Sequence, residues 1–149
     1  MITELSAAAA GFVCMEPATC AVHRWVMHGS GWALHRSHHE SKPGAVHLEA
    51  NDAFPVMFAG VTLAMMALGA GVRSLHLLVA VGVGMTAYGA AYAFVHEVAI
   101  HRRVLPGLRL GPRLARLRDA HGLHHQFGGA PYGMLWPVVP SALAARSQH

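Results

Sequence analysis

Acid is what this chain has least of. Of 149 residues only seven are Asp or Glu, against eleven Lys or Arg, and charged residues make up 12% of the whole. Ordinary soluble domains carry about twice that share, so the balance points away from a water-bathed globular core. Cysteine is nearly absent as well. Cys14 and Cys20 stand six apart in no CxxC pair, which leaves out a four-cysteine iron–sulfur set or a thiolate zinc site. They read as two small buried hydrophobes within the membrane, without a disulfide. There is no GxGxxG turn and no CxxCH haem-attachment motif, so any electrons the chain uses must be supplied from outside. No Glu-x-x-His pair occurs, and a carboxylate-bridged di-iron bundle would need such pairs. No basic residue precedes Arg24, so the charged opening of a secretory signal peptide is missing and the first apolar segment is expected to stay in the mature protein.

What is present is apolar. Hydrophobic residues reach 54% and mean hydropathy is +0.36. Crossing the hydrocarbon layer of about 30 Å takes about 20 apolar residues. Ala53 to Val72 meets that with no charge, and Ser74 to Val95 with only the ionisable His76. Leu5 to Val22 is a third segment, interrupted by Glu16. Pro131 to Ala145 is short and holds Pro131, Pro137 and Pro140, so it reads as re-entrant or interfacial. Helix through Ser74 to Val104 would be about 46 Å long and would project beyond the bilayer. The expected fold is all-α: one domain over residues 1–149, an integral membrane helical bundle with a cytoplasmic histidine-rich di-metal cap.

The histidines carry the chemistry. Ten of the thirteen fall in four clusters: His23 and His28, then His35, His38 and His39, then His96 and His101, then His121, His124 and His125. His47, His76 and His149 stand apart. Neutral imidazole is the commonest nitrogen ligand for transition metals, which take roughly four to six ligands, so ten rings suit two ions. In each HxxHH cluster the positions i, i+3 and i+4 share a helix face. In each HxxxxH pair the rings diverge by about 140° on a regular helix, so the pair serves two metals, or one if the helix loosens locally. Nitrogen-rich coordination with open positions fits two non-haem iron ions and dioxygen as co-substrate, the chemistry that oxidises an unactivated C–H bond.

The spans bring all four clusters to one side. Nine of the eleven basic residues lie there too, Arg24, Arg36 and Lys42 among them, which makes that side cytoplasmic by the positive-inside bias. Arg102, Arg103, Arg109, Arg113, Arg116 and Arg118 form a basic stretch that reads as a docking surface for an acidic electron donor or for anionic lipid headgroups. No nucleic-acid partner is expected. Leu110, Leu114 and Leu117 alternate with arginines as in an interfacial amphipathic helix. Glu16, an acid inside an apolar span, is a candidate catalytic residue. It lies about 10 Å below His23 along the helix, so its expected partner is a ring on a neighbouring helix, the alternative being a boundary carboxylate in solvent. Glu97 and Asp119 adjoin clusters and are candidates to orient the ligating rings.

Glu16, His23–His28, Leu34–Glu40, Glu49–Phe54, Phe94–Arg103, His121–His125 and Gly129–Met134 together resemble the beta-carotene 3-hydroxylase family, within the wider superfamily of membrane fatty-acid, sterol and carotenoid hydroxylases. The resemblance runs from about residue 11 to 140. It implies hydroxylation at C3 of each beta-ionone ring, beta-carotene passing through beta-cryptoxanthin to zeaxanthin. It also implies a carotenoid substrate drawn from the bilayer of a bacterial inner membrane, and a ferredoxin-type donor. Rings bearing a 4-keto group would lead toward astaxanthin. Cys20 and Gly122 depart from the bulkier residues expected there. The alternatives are a fatty-acid or sterol hydroxylase, a carotenoid ketolase, and, among non-enzymes, a haem-binding or zinc-binding membrane protein.

Overall fold

The computed structural model describes residues 1–41 and 48–146; Lys42, His47, His149 and the side chain of Arg146 lie outside the described residues. Among them the chain is all-helical. It runs α1 (Ile2–Val22), a π-helical segment His23–Ser30, α2 (Trp32–Glu40), α3 (Ala53–Gly71), α4 (Leu77–Ala93), a second π-helical segment Phe94–Ile100, α5 (Pro112–Phe127) and α6 (Ser141–Arg146). Three continuous helical stretches are long and apolar enough to cross a membrane: Ile2–Ser30, Ala50–Gly71 and Leu77–Ile100. The protein is a membrane protein of the expected all-α class.

Two compact units are built from this chain. The first comprises Met1–Met15 and Asp52–Ala91. Its helices are apolar all round, as helices facing lipid are, and Val56, Met57, Val61 and Leu63 on α3 are exposed. Contact between α1 and α4 is close because Gly84 has no side chain: a Cβ there would strike the backbone carbonyl of Ala8. Small residues permit such backbone approach in lipid. Nearby Phe12 meets Tyr88 edge-on, with ring centroids 5.7 Å apart. Cys14 and Cys20 are free thiols as expected, but Cys14 is exposed, so it faces away from the protein rather than filling a core.

The second unit comprises Glu16–Asn51 and Tyr92–His149. Its small apolar core is Val95, Ile100 and Met134, with Tyr92, Leu114, Leu117 and Leu135 packed on it. The leucines of α5 thus cover a protein core, which corrects the reading of that helix as one lying on lipid alone. Leu110 precedes the helix, which starts with Pro112 at its first turn. Residues 129–140 are irregular and only the short α6 follows, so the proline-bearing fourth apolar stretch forms no spanning helix. Nor does the third span run to Val104. It ends at Ile100, and Arg102 and Leu105 beyond it take left-handed backbone conformations.

Candidate metal centre

Both HxxxxH pairs sit on π-helical turns. Hydrogen bonding from i to i+5 replaces the tighter α pattern, and it brings residues five apart onto one face. The His101 N–H donates to the His96 carbonyl at 2.9 Å, one such bond spanning the pair itself. Each pair therefore turns toward one group of rings rather than two. The HxxHH clusters on α2 and α5 do the reverse and divide.

The rings gather as two groups. His23, His28, His35, His39 and His124 bring one nitrogen each within 4.8 Å of the others, and so do His38, His101, His121 and His125. His96 joins the second group through Nε2, 3.1 Å from Nε2 of His38. Each α-helical cluster is shared: α2 gives His35 and His39 to the first group and His38 to the second, while α5 gives His124 to the first and His121 and His125 to the second.

Hydrogen bonds on the far nitrogen fix which atom faces inward. Nδ1 of His23 donates to the Tyr132 carbonyl at 3.0 Å, and Nδ1 of His124 to the Gly129 carbonyl at 2.5 Å. Nδ1 of His35 donates to Oδ1 of Asn51 at 2.7 Å. In the second group Nδ1 of His38 donates to Glu49 at 3.0 Å and that of His96 to Glu97 at 2.6 Å. A neutral imidazole that donates through Nδ1 offers a bare lone pair at Nε2. Yet Nε2 of His23 and His35 lie 3.1 Å apart, and those of His38 and His96 likewise 3.1 Å. Two lone pairs at that distance repel unless a cation lies between them. Metal–nitrogen bonds of about 2.0–2.1 Å at right angles place their nitrogens about 3 Å apart, so the rings fit a metal. Nε2 of His39 adds to this, being buried with no hydrogen-bond partner, an arrangement that costs free energy unless something binds there.

Burial keeps His39, His101, His124 and His125 neutral. It is the largest cause of each shift, reinforced by neighbouring histidines, and holds His124 down to about 4, His39 and His125 to about 3 and His101 to about 2. His38 and His121 are lowered as well. Lone pairs therefore stay available at neutral pH.

Ten nitrogen donors in two groups, on helices that enter a bilayer, are matched by kinship. The fatty acid hydroxylase profile covers residues 8–141 of this chain. The chain belongs to the fatty acid hydroxylase family. Within it, a beta-carotene hydroxylase of Pseudescherichia vulneris is 40% identical over 146 residues, covering 92% of this chain and 80% of that relative. One of Pantoea ananas is 38% identical over 144 residues, covering 91% and 79%. The chloroplastic beta-carotene 3-hydroxylase 1 of Arabidopsis thaliana is 37% identical over 117 residues, covering 75% of this chain and 37% of the plant protein. No solved structure matches.

Around the centre of this hydroxylase-family chain the acids are placed unevenly. Glu97 accepts from His96 and pairs with Arg103 at 2.8 Å, as a ring-orienting carboxylate would. Asp119 does not fill that role. It is exposed and pairs with Arg118 at 3.0 Å. Glu16 is buried, but its carboxylate accepts the backbone N–H groups of Met134, Leu135 and Trp136 at 2.8, 3.0 and 2.9 Å. These partners are backbone groups rather than the ring expected for it, and burial sets aside the solvent-facing alternative. Glu49 and Asn51, both buried, orient His38 and His35 and were not singled out from spacing. The usable signal is scarcity: with seven acids in the chain, one standing soon after an HxxHH cluster is worth testing as its partner.

The basic stretch is not uniform either. Arg103 and Arg118 are paired, whereas Arg109, Arg113 and Arg116 are exposed. A cleft of about 530 Å³ is lined by His39, His101, His121, His125, Arg102 and Arg118. Gly122 also borders it, and a Cβ there would meet nothing within 4 Å, so the departure from a bulkier residue leaves the packing undisturbed. His76 stands outside the centre, its ring turned to the Arg73 carbonyl.

Proposed function

We infer that the protein hydroxylates carbon 3 of the beta-ionone rings of carotenoids, converting beta-carotene through beta-cryptoxanthin to zeaxanthin. The observation that carries this is the pairing of two five-imidazole groups with 36–40% identity to beta-carotene hydroxylases of bacteria and plants. The two groups would hold two non-haem iron ions, which supply activation of dioxygen when bound. One oxygen atom enters the C–H bond and the other leaves as water, with two electrons and two protons consumed. The chain's own residues do the rest. Tyr132, Gly129, Asn51, Glu49 and Glu97 fix the ring tautomers, burial keeps the rings unprotonated, and the π turns bring each HxxxxH pair to one ion. Apolar helices give a lipophilic substrate access from the bilayer.

The electron source is a ferredoxin-type donor that docks on the basic stretch of Arg102, Arg103, Arg109, Arg113, Arg116 and Arg118, of which Arg102 and Arg118 line the cleft. The centre faces the cytoplasm from a bacterial inner membrane. Expression in a beta-carotene-producing host, with pigments separated by chromatography, tests the reading. Beta-cryptoxanthin and zeaxanthin should accumulate, and should vanish with His38→Ala. Unchanged carotenoids together with hydroxylated fatty acids or sterols, or with ketocarotenoids, would transfer the protein to the corresponding branch of the family.

A further inference from the structure

Residues 129–136 touch the first histidine group at several points. The carbonyls of Gly129 and Tyr132 hold the outer nitrogens of His124 and His23. The Tyr132 ring also packs against His23, His28 and His124 at centroid distances of 5.4, 5.5 and 5.5 Å. This strand of irregular backbone has no ladder or helix of its own to hold it. Glu16 holds it instead. Three successive N–H groups, those of Met134, Leu135 and Trp136, converge on one carboxylate, and charge-assisted bonds of this kind are roughly twice as strong as neutral ones. Gly133 makes the approach possible, because a Cβ there would lie 2.9 Å from Oε1 of Glu16. Outer nitrogens in the second group meet Glu49 and Glu97, neither of which belongs to residues 129–136.

We propose that Glu16 is a positioning residue for the first metal only: its carboxylate, seated on Gly133 and bound to residues 134–136, sets the backbone carbonyls that orient His23 and His124. This rests on the two-metal reading above. It differs from a catalytic role, since Glu16 acts on the rings through the loop, and from a bulk structural role, since the rings it orients belong to the first group, whereas Met134 and Leu135 reach the second group's helix only by apolar packing on Val95 and Ile100.

The test uses the full chain in detergent micelles, loaded with iron(II), in wild-type, Glu16→Gln, Gly133→Ala and Glu49→Gln forms. Gln keeps the shape but presents an N–H2 group toward backbone donors. Metal per chain, Mössbauer spectra and backbone hydrogen exchange at residues 134–136 are measured. Orienting groups of this kind alter metal affinity by about 10–100-fold. In Glu16→Gln and Gly133→Ala, exchange at 134–136 should accelerate, one iron signal should shift or be lost, and the other should persist. Glu49→Gln should disturb the other signal. If exchange accelerates while both signals stay unchanged, or if both are lost together, the inference is overturned. Should Glu16→Gln fail to fold, Gly133→Ala decides alone, since it displaces the carboxylate without removing it. A wild-type protein that holds fewer than two ions would instead sink the two-metal reading.

Discussion

The two histidine groups are alike in ligand number and unlike in what stands behind the ligands. Behind the first are neutral oxygens: the Tyr132 and Gly129 carbonyls and the Asn51 amide. Behind the second are the carboxylates of Glu49 and Glu97, the latter braced by Arg103. A carboxylate on the outer N–H raises the basicity of the imidazole and stabilises a cation at its other nitrogen. The second group should therefore bind its ion more tightly, and the first should exchange it more readily. Identical side chains can build two unequal sites, and the scarce acids decide which is which.

Removing a ring should have the largest effect. His35→Ala opens the first group and His38→Ala the second, and each should lower turnover by more than about 100-fold, since even orienting partners cost 10–100-fold. Metal analysis would show one ion missing in each case, with the spectrum of the remaining ion differing between the two variants. His76→Ala, away from both groups, should retain both ions. Equal loss of both ions in His35→Ala and His38→Ala would merge the two groups into one cooperative unit and end the comparison.

Next in size is the exchange of orienting partners. Glu49→Gln should weaken ion binding by about 10–100-fold at the second group, with a smaller loss for Asn51→Ala at the first, because a charge is removed in one case and a neutral acceptor in the other. Titration with a chelator reads the order of release. In the wild type one ion should leave well before the other, and Glu49→Gln should narrow or reverse the gap. A single release step in both proteins contradicts the inequality.

Much of this was legible in the sequence, and the limits have physical causes. Six of the ten rings were legible as a set because HxxHH puts three imidazoles on one helical face whatever the surroundings. Their partition was not. It depends on local unwinding at His23–Ser30 and Phe94–Ile100 and on how each helix is rotated about its axis, so that His38 turns to one group while His35 and His39 turn to the other. Spacing also missed Glu49 and Asn51, which bond to rings 11 and 16 residues away in the chain rather than a helical turn away. Glu16 was legible as an anomaly, an acid in an apolar span. Its partners, 118 to 120 residues distant and made of backbone, carry no side-chain signature. The spans were read correctly because bilayer thickness constrains length, whereas the helix expected to reach Val104 ends at Ile100, before the left-handed backbone at Arg102 and Leu105.

Acid should act on both groups alike. Folded rings titrate far below the ordinary histidine value, so on acidification an unfolded chain binds protons that the folded chain refuses. Stability of the metal-free protein is then full above about pH 6.5 and falls as pH drops toward the folded values. His124, which is fully buried and held down to about 4, contributes up to about 1.4 kcal/mol per pH unit across that window. His39 and His125, at about 3, and His101, at about 2, extend the same trend to lower pH. Thermal melts of metal-free protein between pH 7 and pH 5 should show falling stability. A melting temperature that is flat over that range would mean the rings are not held neutral by burial.

The smallest expected effect concerns electron entry, and it asks which group faces the donor. His101, His121 and His125 of the second group line the cleft, with only His39 from the first. Arg113 and Arg116 are exposed one helical turn apart on α5, the helix that carries His121 and His125. An acidic ferredoxin steered by the basic stretch toward Arg102 and Arg118, which line that cleft, would meet the second group's rings, so electrons should enter there. Reversing Arg113 and Arg116 to Glu should slow donor-limited turnover roughly threefold to tenfold at low salt, with a flatter response to added salt, because steering acts on encounter rate. Metal content should stay at the wild-type value, and turnover should recover at saturating ferredoxin. The competing role for the two arginines is contact with anionic headgroups, at about 1 kcal/mol each. That role predicts loss of binding to anionic vesicles with unchanged dependence on ferredoxin concentration. Should the double reversal leave turnover unaltered at limiting and saturating donor alike, the docking surface lies elsewhere and α5 is a lipid-facing helix that happens to carry ligands.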